Sequence, residues 1–244
     1  MINSDNNKFK VSMFIFPVML LIIGIGYSYY VVNYPQDRIV SNYVSYNKIL
    51  NSLSQHIKLV TVSAGAAIIV SVPLGIFLTR PKFKKFTNIV VSIVNIGQTV
   101  PSLAILALFV GFFGVGFNSG VFALWVYSLL PILNNTLAGI LDVDQSILEA
   151  AKGMGMTPAK ILSKIELPIA SPVIMAGIRT AVTINIGTAT LAAFIGAGGL
   201  GDIIIAGNNI NRWQIVILGA ILSALLALLT DYLMGLFETY LKNI

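Results

Sequence analysis

The fold class this sequence predicts is all-α integral membrane protein, and three observations predict it. Hydrophobic residues make up 57% of the chain, charged residues only 10%, and six apolar stretches are long enough to cross a bilayer. A soluble domain carries roughly 25% charged residues, so this chain, with mean hydropathy +0.89, has too few polar side chains to cover its own surface. The net charge of +6 is no nucleic-acid footprint, because the basic residues sit at the ends of apolar stretches. With no cysteine, disulfide frameworks, thiolate metal sites and cysteine nucleophiles are excluded.

A helix needs about 20 mostly apolar residues to cross the hydrocarbon core. The stretches that qualify are 13–33, 57–79, 87–113, 118–140, 172–195 and 213–238. The first exceeds the roughly 7–15 residues of a signal-peptide core and no A-x-A-like site follows it, which predicts a retained helix. Residues 34–56 form the longest external segment, with room for a short surface helix, and its lone His56 reads as interfacial rather than as a ligand.

The third span contains INIGQTVPSLAIL, where Pro101 removes a backbone donor beside Gln98, Thr99 and Ser102. Broken polar backbone at membrane depth survives only when buried in protein or lining a cavity. Both an ordinary kink and a pathway lining fit. Asn134 and Asn135, after Pro131 in the fourth span, read the same way. In the fifth span Asn185 and Thr188 share a helix face, from which Thr190 lies away; helix packing and a polar pathway wall are both open.

Orientation follows from the loops. Lys8, Lys10, Arg80, Lys82, Lys84, Lys85, Lys152, Lys160, Lys164 and Lys242 fall on one side, and Arg38, Lys48, Lys58 and Arg212 on the other. The positive-inside rule then places both termini in the cytoplasm. The organisation is one membrane unit: an N-terminal helix with its external segment over 1–55, and a core over 56–244 with a cytoplasmic loop at 142–170.

That loop reads DVDQSILEAAKGMGMTPAKILSKIELPIASP. Ser146 and Glu149 form an S-x-x-E capping box, predicting a helix through Ala150 and Ala151 that ends at Gly153 and Gly155. Thr157 and Pro158 predict a second start, with an end near Leu167 and Pro168. The product is a compact helix–turn–helix, with Ile147, Leu148, Ile161 and Ile165 as apolar area. A self-packed loop and a partner-docking surface are both consistent with it.

Glu149, Ala150, Ala151, Gly155, Ile165, Leu167 and Pro168 match the spacing E-A-A-x3-G-x9-I-x-L-P without a gap. This resembles the coupling loop of permease subunits in binding-protein-dependent ABC importers. The stretches HIKLVTVSAGAAIIVSVPLGIFLTR, GQTVPSLAILALF, YSLLPILNNTLAGI and IRTAVTINIGTATLAAFIGAGGLGD look like the osmoprotectant branch of that family, over about residues 56–240. The resemblance implies a type I ABC importer permease fold, with a five-helix core plus one N-terminal transmembrane helix, in a bacterial cell membrane. It implies transport of quaternary amines such as glycine betaine, carnitine and choline, or alternatively of another small zwitterion or amino-acid derivative. Implied partners are cytoplasmic ATPase subunits seated on the loop, a second permease subunit, an extracellular substrate-binding protein and membrane lipid, with no nucleic acid.

No G-x-x-x-x-G-K-[ST] loop is present, so no cofactor is expected here, and ATP with Mg belongs to the partner ATPase. One histidine and no clustered carboxylates in the spans argue against an enzyme, with no catalytic or metal-binding residues. A channel or secondary transporter would reuse intramembrane charges and repeats, which are not evident. Arg179 and Asp231 do lie inside spans, both roughly 10 Å from the cytoplasmic ends at about 1.5 Å per residue. They fit either an ion pair, within one subunit or across a dimer, or separate snorkelling to the interface.

GAGGLG at 196–201 imitates a dinucleotide fingerprint, but a membrane helix precedes it and the acid expected about 20 residues later is absent. An external loop with Asn208, Asn209 and Asn211 is expected after it. Gly196, Gly198, Gly199 and Gly201 therefore mark either a tight turn or, by the resemblance, an outer gate.

Overall fold

The computed structural model describes the backbone of residues 2–242 and the side chains of residues 15–242, so Lys8 and Lys10 lie outside the described side chains. Helices α1 (Ile2–Asn33), α2 (Arg38–Tyr43), α3 (Tyr46–Leu78), α4 (Thr87–Thr99), α5 (Ser102–Phe113) and α6 (Phe117–Leu141) form the first half. There follow α7 (Gln145–Gly153), α8 (Pro158–Ile161), α9 (Leu167–Ala192), α10 (Leu200–Asn209) and α11 (Trp213–Lys242). Among the described residues, five helical segments are long and apolar enough to cross a membrane: Ile15–Asn33, Tyr46–Leu78, Phe117–Leu141, Pro158–Ile195 and Trp213–Lys242.

The expected third span is instead two helices, bent by 100° between α4 and α5. Proline disfavours the α conformation at the residue before it, and Val100 is accordingly extended at ψ 134°. The freed Val100 carbonyl accepts from the Tyr127 hydroxyl of α6, so the break is closed by a neighbouring helix.

At the centre α6 packs on α3 and α9, with α4 and α5 against its remaining flank. Leu59, Leu124, Ala189 and Ala192 are buried where the three helices meet. Helix α11 packs on α9 and α10, and α1 lies outermost against α11. The entry to α3 differs from the expected external segment: Ser45 caps the Lys48 amide and the helix begins at Tyr46 rather than at residue 57. The chain between α1 and α3 is stapled to the start of α11. There Gln214 accepts from the Gln36 amide at 2.7 Å and donates to the Tyr34 carbonyl at 3.0 Å, while Arg212 pairs with Asp37 at 2.5 Å. The Val40 amide, with Arg212 beside it, holds the Asp37 carboxyl below the ordinary carboxylate range.

Small residues let the helices approach closely, as membrane packing requires. A Cβ on Gly177 of α9 would stand 2.5 Å from Asn135 Cβ and 2.8 Å from the Pro131 carbonyl of α6. Overpacking of this kind costs about 1–3 kcal/mol. Gly177→Ala is therefore expected to lower the thermal midpoint of the detergent-purified protein. Gly187→Ala on the same helix, with nothing within 4 Å of the new methyl, is expected to leave it unchanged or raise it. Equal midpoints for the two variants would contradict the close α6–α9 crossing.

Candidate functional site

Two ends and a middle carry the polar chemistry. Gly116 donates to the Ile195 carbonyl at 2.7 Å, which puts the α5–α6 and α9–α10 turns at one end. Arg80 and Glu166 meet at 2.7 Å, which puts the α3–α4 turn and the 142–166 loop at the other.

In the loop, α7 is closed at both ends by its own residues. Its N-cap is Asp144, which accepts from the Ser146 amide at 2.8 Å. The capping box expected at Ser146 and Glu149 is not formed, because an aspartate two residues earlier already occupies the cap. That amide bond holds the Asp144 carboxyl below its ordinary value. At the C-terminus Met156 donates to Ala151 O and Gly155 to Lys152 O, a Schellman closure with Gly155 at φ +76°. Thr157 caps the Lys160 amide and Pro158 opens α8, as the sequence predicts.

The second loop helix does not stop at Leu167 and Pro168. A π turn, Leu162–Glu166, carries it without interruption into α9. Pro168, which has no N–H to give, follows directly on the wider π turn as the second residue of α9. Of the motif residues, Ala151 is buried, Ile165 and Leu167 are half-buried, and Glu149, Ala150, Gly155 and Pro168 are exposed. Exposed Met154 and Ile147 stand with them. The loop thus presents a preformed face of small and apolar side chains.

At mid-membrane, Asn185 of α9 is fully buried and donates to Ser128 Oγ of α6 at 2.7 Å and Ser63 Oγ of α3 at 3.1 Å. One amide ties three helices. Thr188 turns away, half-buried, and returns its hydroxyl to Ile184 O at 2.9 Å. The next residue before Ser128 is Tyr127, which faces the α4–α5 break and accepts on its carbonyl from Gln98 at 3.3 Å. Thr99 is exposed and bonds its own helix at Ile96 O; Pro101 is exposed and Ser102 half-buried. Asn134 is exposed, and Asn135 folds back on Pro131 O at 2.8 Å. Gln98 and Asn185 therefore meet consecutive residues of α6, Tyr127 and Ser128, whereas the remaining candidates are not gathered into one polar wall.

At the far end the glycines have separate tasks. Gly196, at φ +70°, is the left-handed residue of a second Schellman closure, with Ala197 N on Ala192 O and Gly196 N on Ala193 O. Gly199, at φ +97°, begins α10 with its amide on Gln55 Oε1 at 3.2 Å. A side chain on Gly201 would collide with the Thr190 carbonyl. The expected Asn-bearing external loop is largely helix α10.

His56 corrects the interfacial expectation. It is 0% exposed, its Nδ1 accepting from the Leu200 amide at 3.3 Å and its Nε2 donating to Ile186 O at 3.0 Å. It is a lock between α3, α9 and the glycine turn. In α10, burial raises the Asp202 carboxyl above its ordinary range, with Lys48 pulling it back.

Near the loop end, Arg179 Nε and Nη2 each donate to Asp231 at 2.7 Å, within one chain. Glu238 accepts from Arg179 at 3.3 Å and from Lys242 at 2.8 Å. Among the described residues no group of three or more His, Asp or Glu side chains is placed to hold a metal ion. Sequence reasoning used Arg80 for orientation alone and passed over Glu166, Gln55, Ser63, Tyr127 and Ser128. Glu166 occupies an unspecified position of the motif, and the others are ordinary residues until helix crossing gives them partners.

The fold and its projecting loop define a polytopic helical membrane protein of the type I ABC importer permease class. A chain of the MetNI methionine ABC transporter in an inward-facing conformation superposes with TM-score 0.74 at 21% identity, covering 81% of this chain and 99% of its own. A chain of an amino acid ABC transporter with histidines gives 0.67 at 22% identity, covering 80% and 94%. The chain belongs to the family described as binding-protein-dependent transport system inner membrane component, whose profile matches residues 71–243. It is 47% identical over 191 residues to the choline transport system permease protein OpuBB of Bacillus subtilis (strain 168), covering 78% of this chain and 87% of that one. It is 48% identical over 179 residues to the carnitine transport permease protein OpuCD of Listeria monocytogenes serotype 1/2a (strain 10403S), covering 73% and 79%. The osmoprotectant import permease protein OsmY of Salmonella typhimurium (strain LT2) is 45% identical over 183 residues, covering 75% and 78%.

Proposed function

We propose that this chain is the permease subunit of an ATP-driven importer of quaternary-amine osmoprotectants: choline, glycine betaine and carnitine. The observation that carries the substrate class is the 45–48% identity to choline, carnitine and osmoprotectant permeases over most of both chains. The fold supports one half of a translocation route, completed by a second permease subunit. An extracellular binding protein delivers substrate, using the aromatic surfaces that suit quaternary ammonium groups.

ATP and Mg are held by separate ATPase subunits in the cytoplasm, against the α7–α8 face. The basic residues support this orientation: Arg80, Lys82, Lys84, Lys85, Lys152, Lys160, Lys164 and Lys242 all lie at the loop end. Both termini are then cytoplasmic in a multi-pass cell-membrane protein.

The test is binding of choline, glycine betaine, carnitine and proline to the purified cognate binding protein, followed by ATP-dependent uptake in proteoliposomes holding the whole complex. Binding and uptake of one or more of the three quaternary amines is expected. No affinity for any of the four ligands would remove the osmoprotectant assignment and leave the permease fold untouched.

A further inference from the structure

Accepting that the 142–170 loop takes up the ATPase movement, α9 receives that movement through its own backbone, since α8, the π turn and α9 are continuous. Helix α3 has no covalent route to the loop. Its end is gripped instead by one polar contact, Arg80 to Glu166, made with two prongs at 2.7 Å and 3.3 Å. Glu166 is buried and Arg80 about a third exposed. Arg80 is itself braced on Thr79 Oγ1 at 2.9 Å and on Ile76 O at 3.3 Å, and Thr87 ties the start of α4 to Leu78 O at 3.0 Å. The guanidinium is thus held in place before it meets the carboxylate.

The partner half of the contact sits in an unusual backbone. In the π turn Leu167 donates to Leu162 O, five residues back, so the turn contains one residue more than an α turn. Such insertions are rare and cluster at functional sites. Helix α3 runs back from this grip, and in its first half Gln55 and His56 hold the amides of Gly199 and Leu200. At about 1.5 Å per residue the rod between the two grips is about 35 Å long.

We infer that α3 is a connecting rod, clamped to the loop by Arg80–Glu166 and to the far glycine turn by Gln55 and His56, which carries loop movement to the opposite membrane face. Arg80 and Glu166 are positioning residues in this arrangement. They set where α3 stands for each position of the loop.

The chain has no native cysteine, so labelling sites can be added to it singly: spin labels at exposed Lys58 of α3 and exposed Tyr34, which is tied to α11 and not to the clamped turn, report how the far end of α3 moves against the α1–α11 flank. In the otherwise unmodified complex the Lys58–Tyr34 distance distribution is expected to change between nucleotide-free and ATP-bound states. In Arg80→Gln and Glu166→Gln that change is expected to vanish while ATPase association persists. Substrate moved per ATP hydrolysed is expected to fall roughly tenfold, within the range by which mutations along a coupling route act. The double variant Arg80→Glu with Glu166→Arg is expected to restore both readouts. If Arg80→Gln does not accumulate, Arg80→Lys makes the same test, because lysine keeps the charge without the fork that spans both oxygens.

An undiminished distance change and transport ratio in both single variants would overturn the inference. So would loss of ATPase association in those variants, since the pair would then serve docking rather than transmission. Failure of the docking reading itself shows elsewhere, as normal ATPase association in a Gly155→Trp complex.

Discussion

Arg179→Glu is expected to abolish accumulation of the folded protein in the membrane. The substitution replaces the cation that pairs with Asp231 by a third carboxylate, beside Asp231 and Glu238 on α11. Removing one partner of a buried pair costs about 3–5 kcal/mol, and an isolated charge at the centre of a spanning helix about 2.5–3.5 kcal/mol on insertion scales. Arg179 and Asp231 are each about a third exposed, which lowers both figures. Roughly 2–3 kcal/mol then remains, a large share of the 5–15 kcal/mol that holds a typical domain.

The geometry also says what rescues. The two-pronged contact joins α9 to α11, and Thr183 adds a third bond to Asp231 at 3.4 Å. Asp231→Arg alone is expected to fail as Arg179→Glu does. Arg179→Glu with Asp231→Arg is expected to recover much of the wild-type amount. Size-exclusion profiles of a fluorescent fusion, normalised to expression, make the comparison. A double variant as poor as the singles would mean that the two residues reach the interface separately.

How much of this was legible beforehand divides along a physical line. Features set by short-range backbone chemistry were readable: the break at Pro101, the Gly155 and Gly196 turns, and the Thr157–Pro158 start. The apolar runs placed the spans within a few residues, except at the third, which is two helices bent by 100°, and at α3, where a serine cap in a polar segment starts the helix at Tyr46. What escaped is contact between distant residues. Asn185 meets Ser63 across 122 positions and Ser128 across 57, while Arg80 meets Glu166 across 86. Nothing local distinguishes these serines from any other small residue on a membrane helix. His56 was misjudged for the same reason: a lone histidine near a span end looks interfacial until α9 and the glycine turn close over it. Arg179 and Asp231 stood out only because charge inside a span is costly and so conspicuous.

Gly155→Trp is expected to abolish uptake by the assembled transporter while leaving insertion and folding intact. Nothing lies within 4 Å of where a Cβ on Gly155 would sit, so the substitution meets no obstacle inside this chain. The damage comes from two other sources. At φ +76° a residue with a Cβ pays a left-handed penalty of about 1–2 kcal/mol, which favours release of the Schellman closure that fixes α7 against α8. The indole would also stand on an exposed face, beside Met154 and Ala150, where the proposed ATPase surface must approach. Bulk and backbone strain are separable: asparagine tolerates the left-handed region, so Gly155→Asn is expected to retain much of the uptake. Gly153→Ala is a further control, because Gly153 is helical and its methyl also points into open space. Co-purification of the ATPase, and ATP-dependent uptake in proteoliposomes, supply the readouts. Expected are loss of both in Gly155→Trp, partial retention in Gly155→Asn and near-normal values in Gly153→Ala. A Gly155→Trp complex that binds its ATPase and transports normally would remove the loop from the docking surface and leave the fold as described.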